Sequence, residues 1–296
     1  KTLKKASREF VQVHQIRAAV SLATGQMKEA ADSYEVLLDA LERPEDFQLT
    51  DREHTALVNN RPTSYEAVGR VLMQVGRHNK AIQAFEALRR LEKDQPGEHN
   101  LLLARAYFLK DKLDDCEKNL TLYFDSGRRS KESLQTLLDL YEATSRSDAL
   151  AEQLNKLSQN TQDATTVRMF LGQVLLDQGK ADEANDVYQA ILDTSGDADA
   201  YLGLIRVAIT KQDPTALIAT VNRAARSRIL IEELIPLIVS ITTNDEFAQS
   251  AVNACKTMFE EKPGDLHPMV PYFCSLIAEA LKQPKDESAL LKAAVT

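Results

Sequence analysis

Apolar residues recur at intervals of three and four along most of the chain, in short runs separated by polar turns. Val68, Leu72 and Val75 form one such run, and the segment 81–88 repeats the spacing after a turn. This spacing places apolar side chains on one face of an α-helix. Because the pattern persists over 12–225, the sequence predicts an all-α protein built from amphipathic helices.

One pattern occurs three times, with Gly at the sixth place, Ala at the eleventh and Tyr or Phe at the fifteenth. The copies are VSLATGQMKEAADSYEVLL from Val20, VLMQVGRHNKAIQAFEALR from Val71 and VLLDQGKADEANDVYQAIL from Val174. Weaker copies place Asp111, Ser145 and Gln212 where the Gly stands. The six marker positions are separated by 51, 35, 34, 34 and 33 residues. A period of about 34 residues predicts tandem helix pairs, with an insertion in the first interval.

Each place in the pattern has a structural reason. Gly ends the first helix of each pair because it adopts left-handed backbone angles without steric cost. Asp111 and Ser145 therefore predict costlier turns. Ala lies where two helices approach closely, and Cys116 takes that place in the third copy. Cys116 is accordingly interpreted as a core residue.

A 34-residue helix–turn–helix with this arrangement resembles the tetratricopeptide repeat family. The resemblance covers roughly 12–225, although the family's usual Trp is absent and its closing Pro is mostly lost. It implies a right-handed α–α superhelix, that is, a solenoid of about six helical hairpins. It also implies a concave groove that is lined by the first helix of each pair.

Two regions are predicted, namely 1–225 with the tetratricopeptide-like repeats and 226–296 with degenerate helical repeats that continue the solenoid. In the second region helices are expected over Leu230–Ile241, Glu246–Glu261, Pro268–Leu281 and Glu287–Val295.

The insertion around 42–62 contains Thr50 and Glu53 in the spacing of a capping box, which predicts a short helix over Asp51 to Val58. Two interpretations of the insertion stay open. It is either a connection packed on the outside or a functional element that folds over the groove or contacts another subunit.

The composition narrows the partner class. The chain carries 36 Lys and Arg against 44 Asp and Glu, a net charge of −8, so nucleic acid is not the expected partner. The cluster Arg223, Arg226 and Arg228 is interpreted as solvated or ion-paired. The longest apolar run, 229–241, has 13 residues and includes two Glu, so no membrane insertion is predicted.

No convergent set of reactive side chains is found, so the protein is predicted not to be an enzyme and to bind no cofactor or metal. The five His residues are scattered without the spacing of paired ligands. The acidic loop 193–199 lacks the full ligand ladder of a calcium loop. Cys116, Cys255 and Cys274 match no zinc or redox motif, which favours a reducing compartment such as the cytoplasm. Because the chain begins at Lys1, an upstream targeting signal stays open.

The groove itself is the predicted functional surface, and its partner is expected to be a protein or peptide. Arg recurs at one place of the first helices, with large apolar residues beside it, a composition typical of interface cores. The predicted groove residues are Arg70, Met73, Leu101, Arg105, Phe108, Asp139, Glu142, Met169, Gln173 and Arg206. The predicted function is a non-catalytic protein–protein interaction scaffold that binds a peptide or helix. The alternative is an architectural segment of a larger protein whose activity lies elsewhere.

One ligand class of the resembled family is not expected here. Some family members hold a chaperone's C-terminal carboxylate with Lys, Asn and Arg on successive first helices. The corresponding places in this chain carry Gln15, Ala19, Glu66, Arg70, Leu101 and Arg105. Because the Lys and Asn are missing, the chain is not predicted to be a carboxylate-clamp chaperone adaptor.

Overall fold

The structure, a computed structural model, describes residues 7–59, 64–92, 97–159, 161–227 and 229–295. Within these ranges the chain forms 17 α-helices and no β-strand, so the all-α prediction is confirmed. Backbone contacts divide the chain into two compact units, Lys1–Ser147 and Asp148–Thr296. Five of the six predicted helix pairs lie within one unit, and the two helices predicted for the fourth repeat fall one in each unit. The insertion adds one helix, and four further helices follow at the C-terminal end.

The first unit consists of antiparallel helix pairs that pack side by side. The helices are α1 (Arg8–Ala23), α2 (Met27–Glu42), α3 (Asp51–Asn59), α4 (Tyr65–Gln74), α5 (His78–Leu91), α6 (Glu98–Phe108), α7 (Leu113–Asp125) and α8 (Lys131–Ala143). The first helices α4, α6 and α8 contact one another in that order. Apolar side chains such as Leu37, Leu72, Phe85 and Leu102 form the core of this unit.

The second unit repeats this arrangement. Its helices are α9 (Ser147–Leu157), α10 (Ala164–Asp177), α11 (Ala181–Ser195), α12 (Ala200–Thr210), α13 (Pro214–Arg226), α14 (Ile231–Ile241), α15 (Asp245–Glu261), α16 (Met269–Ala280) and α17 (Pro284–Ala294). The four helices predicted after Ala225 are therefore confirmed within a few residues. The first helices α10, α12, α14 and α16 contact one another in sequence. The boundary near residue 225 stays a prediction.

Seven of the turns that follow the first helices share one backbone conformation, whichever residue occupies them, and the α14–α15 turn is the exception among the described residues. Gly25, Gly76 and Gly179 have φ of 73°, 81° and 74°. The same left-handed conformation occurs without Gly at Asp111, Ser145, Gln212 and Lys282, although it costs a residue with a Cβ about 1–2 kcal/mol. The predicted marker positions are thus the turn residues, and Lys282 adds one that the sequence pattern did not identify.

A second set of glycines allows aromatic rings to enter between paired helices. A Cβ on Gly69 of α4 would lie 2.3 Å from the Phe85 ring of α5. The Tyr188 ring of α11 lies against two glycines, because a Cβ on Gly172 or Gly203 would come within 2.5 Å of it. The sequence pattern placed the aromatic residues correctly but missed these glycines.

The insertion after α2 packs against the α1–α2 pair. A 3-10 turn at Pro44–Phe47 leads to α3, and Phe47 and Leu57 are buried. The predicted capping box is present, since the Thr50 N–H donates to Glu53 Oε2 at 2.9 Å. Residues 60–62 of the insertion lie outside the described residues. Both interpretations of the insertion stay predictions.

Candidate binding surface

Two of the predicted groove arginines lie side by side on the first helices of unit 1. Arg70 of α4 donates from Nε to Glu66 Oε1 at 2.8 Å and from Nη2 to Glu98 Oε1 at 3.3 Å. The second bond joins α4 to α6. Arg70 is therefore held in place by carboxylates of its own chain before any partner arrives.

Arg105 of α6 makes the equivalent contact one helix further along, where its Nη1 donates to Glu132 of α8. Burial lowers the pKa of Arg105, and the nearby positive charge of Arg70 lowers it further. Asp139 and Glu98 act in the opposite direction. Arg105 remains charged at neutral pH because guanidinium groups do not deprotonate in proteins, so a partly desolvated cation lies among carboxylates.

The two arginines line one pocket of about 500 Å³. Its other lining residues are Met73, Gln74, Gly76, His78 and Leu109. Leu109 is 51% exposed and gives the pocket an apolar edge. The lining thus combines an apolar edge with a few polar groups, as ligand-binding clefts usually do. The pocket can therefore accept a side chain that has an apolar body and a polar tip.

The structure corrects part of the predicted row. Leu101 is 1% exposed, so the prediction that it faces the groove is wrong: α6 contacts α4, α5, α7 and α8, and they leave its side chain no open face. Met73 is 9% exposed and contributes only the wall of the pocket. Phe108 and Asp139 are half-buried and Glu142 is exposed, so a partner can reach these three.

In the second unit the predicted residues Gln173 and Arg206 contact each other. Arg206 Nη1 donates to Gln173 Oε1 at 3.0 Å, and Gln173 Nε2 donates to Asp177 Oδ1 at 2.9 Å. The first bond links α10 to α12. Met169 is half-buried on α10. This unit therefore presents a polar ladder that is built like the one around Arg70.

Two exposed apolar rows were missed by the sequence analysis. Ile235 and Val239 lie four residues apart on α14 and are exposed. Phe10, Val13, Ile16 and Val20 form a longer row on α1. The apolar runs themselves were visible in the sequence, but which side of each helix stays open depends on how it packs.

The basic cluster after α13 is engaged within its own unit. The Arg223 guanidinium lies 5.4 Å from the centre of the Tyr201 ring, and Arg226 donates to the Asp265 carbonyl. Arg228 lies outside the described residues. These contacts agree with the interpretation of the cluster as paired surface.

The three cysteines are free and buried. Burial raises the pKa of Cys116 to about 12. Cys116 thus fills the Ala place of its repeat as a neutral thiol, as the sequence pattern predicts. Its burial and neutral state fit a core role and are unlike those of a reactive nucleophile.

Across the described ranges, no group of three or more His, Cys, Asp or Glu residues could hold a metal ion. In the same part of the chain, no helix is both long and apolar enough to cross a membrane.

A tetratricopeptide repeat sequence model, TPR_16, matches residues 67–115, 128–199 and 171–229, together just over half of the chain. The chain belongs to the tetratricopeptide repeat family. Tetratricopeptide repeats generally mediate protein–protein interaction or assembly, and their fold is typically non-catalytic. A search of curated proteins found no match.

Two solved tetratricopeptide-type structures illustrate how far the likeness extends. A tetratricopeptide repeat protein from Parabacteroides merdae is 10% identical, with a TM-score of 0.42 and coverage of 97% of this chain and 99% of that one. A chain of the APC/C hetero-tetramer Cut9–Hcn1 is 13% identical, with a TM-score of 0.38 and coverage of 97% and 56%. At these identities neither neighbour informs the partner of this protein.

Proposed function

We propose that this tetratricopeptide repeat protein binds a peptide or helical segment of another protein along the first helices of its repeats, without catalysing a reaction. The observation that carries the proposal is the pocket shared by Arg70 and Arg105, with Leu109 at its edge. Apolar contact would supply most of the affinity, while charged groups would orient the partner.

The ion pairs of the surface favour one kind of partner chemistry. Both pocket arginines already contact carboxylates of the chain, namely Glu66 and Glu98 around Arg70 and Glu132 beside Arg105. An incoming acidic group would therefore have to compete with these glutamates. Exposed Glu142 and half-buried Asp139 favour a partner that places a basic residue beside α8 and an apolar residue at Leu109.

The polar ladder of unit 2 supports a second contact region. Gln173 and Arg206 join α10 to α12, with half-buried Met169 nearby in sequence on α10. These side chains offer hydrogen bonds to a partner's backbone, which suits an extended segment. The proposal assigns each unit its own contact region.

The partner segment can be located by photo-crosslinking from the mouth of the pocket. Leu109 is replaced by a photoreactive amino acid, and the crosslinked peptide is identified by mass spectrometry. The affinity of the corresponding synthetic peptide is then measured for the parent protein and for the Arg105→Glu, Phe108→Ala double variant. We expect a loss of about 2 kcal/mol or more, as is typical of interface hot spots.

A matched control separates the pocket from general charge effects. The Arg52→Glu, Leu122→Ala variant makes the same charge reversal and a comparable truncation of an apolar side chain at exposed positions of α3 and α7, and it should bind normally. Arg105→Gln removes the cation without opposing Glu132, so it tests the site even if the charge reversal disturbs folding. Unchanged peptide affinity in folded pocket variants would refute the proposed site.

An architectural role is the second candidate, and the exposed pair Ile235 and Val239 on α14 favours it. In a larger polypeptide this row would pack against a neighbouring domain, because exposed apolar rows usually mark contact surfaces. Side-chain footprinting of the full-length protein tests this candidate. Protection of both residues there, but not in the present chain, would support it, and equal labelling would argue against it.

A further inference from the structure

The first helix carries apolar residues on two opposite faces. Val11 and Ala18 are buried, and α1 packs tightly against α2. On the opposite face Phe10, Val13, Ile16 and Val20 are 43–66% exposed. A helix that is apolar on both faces normally packs on both, so the second face points to a contact that the described part of the chain does not supply.

The exposed residues have the spacing of a helix–helix seam. Val13, Ile16 and Val20 follow one another at intervals of three and four residues, the spacing of positions that interdigitate between two paired helices. Phe10 extends the row by one turn toward the start of the helix. A second helix is therefore the shape that fits this face.

The charges on α1 identify which helix fits. Exposed Glu9 and Arg17 lie four residues before and four residues after Val13. When two copies of α1 cross antiparallel with Val13 on the two-fold axis, Glu9 of each copy faces Arg17 of the other. The same register places Phe10 against Ile16 of the second copy. The stretch from Glu9 to Arg17 is thus complementary to itself, which is the requirement of a symmetric two-fold interface.

We propose that α1 forms a homodimer interface in which two copies pair antiparallel about Val13. A parallel pair would instead place Glu9 beside Glu9 and Arg17 beside Arg17, which like-charge repulsion disfavours. Glu9 already accepts a hydrogen bond from Arg8 Nε at 3.3 Å. Arg8 also donates to Glu53 Oε1 at 3.0 Å. This bond holds the Arg8 side chain on the side of α3.

The size of the face sets the expected strength of the dimer. One helix row buries less than the roughly 1,200 Å² of a standard stable interface, so the dimer belongs to the weak, transient class. Sedimentation velocity over the micromolar to millimolar concentration range is the suitable measurement. A protein that stays monomeric throughout this range would overturn the proposal.

Cysteine crosslinking tests the antiparallel register directly, because the three native cysteines are buried. Val13→Cys places a thiol on the two-fold axis, so mild oxidation should yield a disulfide-linked dimer. Val20→Cys should not crosslink, since the two thiols would lie roughly 21 Å apart along the helices. Crosslinking of both variants would indicate a parallel pair, and crosslinking of neither would rule out this interface.

Charge reversal tests the paired charges. Glu9→Arg and Arg17→Glu should each weaken self-association, because each places like charges opposite each other. An equimolar mixture of these two variants should associate again, because both ion pairs re-form with reversed polarity between the two different copies. Failure of the mixture to recover while each variant alone is weakened would refute the assigned register.

Substitution in the seam tests the apolar contact. Ile16→Glu should weaken dimerisation at least about tenfold, because both symmetric copies lose the contact with Phe10. Leu122→Glu makes a similar change at an exposed position of α7 and should leave association unchanged. Circular dichroism and thermal melting check that both variants fold, and equal dimerisation of both would place the interface elsewhere.

Discussion

Two neighbouring repeats of the first unit make the same turn with different residues. The pair α4–α5 turns at Gly76, with φ of 81°, and the pair α6–α7 turns at Asp111, with φ of 58°. One repeat follows the family pattern and the other departs from it at several places. Both nevertheless form helix pairs, so the comparison shows which departures the fold absorbs.

The departures in the second repeat compensate for one another in volume. The first repeat packs the ring of Phe85 against Gly69. The corresponding places in the second hold Leu120 and Ala104, and all four residues are buried. The large Phe ring beside Gly and the smaller Leu side chain beside the Ala methyl group fill similar volumes. Protein cores tolerate exchanges that conserve volume. The unit of the pattern is therefore the pair of residues rather than either one alone.

The largest effect is expected when one member of such a pair is changed. Gly69→Ala places a methyl group 2.3 Å from the Phe85 ring. Overpacking costs about 1–3 kcal/mol, and the better helix propensity of Ala returns about 1 kcal/mol. Because an approach of 2.3 Å puts the overpacking cost at the top of that range, we expect a net loss of about 2 kcal/mol in the free energy of unfolding, measured by urea denaturation.

The second member of the pair should restore much of this loss. Adding Phe85→Leu to Gly69→Ala reproduces the arrangement of Ala104 and Leu120, so the double variant should be more stable than the sum of the single effects predicts. A double-mutant cycle measures this coupling. Strictly additive effects would show that the two residues are not a packing unit.

A smaller effect is expected in the turns. Gly76→Asp imports the residue of the second repeat and should cost about 1 kcal/mol, because the left-handed conformation strains a residue with a Cβ. Asp111→Gly should gain about 0.5 kcal/mol, since the added freedom of the unfolded chain offsets part of the relief. Thermal unfolding measures both. Gly264→Asp, in a turn with ordinary φ and open space, is the control and should change little.

The smallest effect at neutral pH is expected at the close-approach place, where Ala81 in the first repeat corresponds to Cys116 in the second. Cys116→Ala should change stability by less than about 1 kcal/mol at pH 7. Burial raises the pKa of the folded thiol from 9.0 to about 12. Its contribution to stability is therefore fully present below pH 9 and is lost as the pH rises toward 12.

The stability of the two proteins should also differ in its dependence on alkaline pH. Between pH 9 and 12 the parent should lose stability more steeply than Cys116→Ala, because the variant lacks this titrating group. Urea denaturation at several pH values measures the difference. Identical slopes for the two proteins would contradict the assigned shift of the thiol pKa.

The sequence alone predicted the features that depend on neighbours along the chain. The six marker turn residues, the close-approach residue Cys116, the α3 capping box and the C-terminal helices were placed correctly. They follow from local hydrogen bonds and from helical periodicity, both of which can be read from residues a few places apart.

The tertiary structure decided which side of each helix a partner can reach. Leu101 was predicted to face the groove and is buried, whereas Ile16 and Val239 are exposed on helices whose open sides were not predicted. The packing role of Gly69 and Gly203 becomes clear only in the structure, where the rings of Phe85 and Tyr188 lie beside them. Period and spacing determine which residues lie on a helix. The exposure of each residue depends on how its helix is rotated against its neighbours. That rotation is set by packing between residues far apart in the chain.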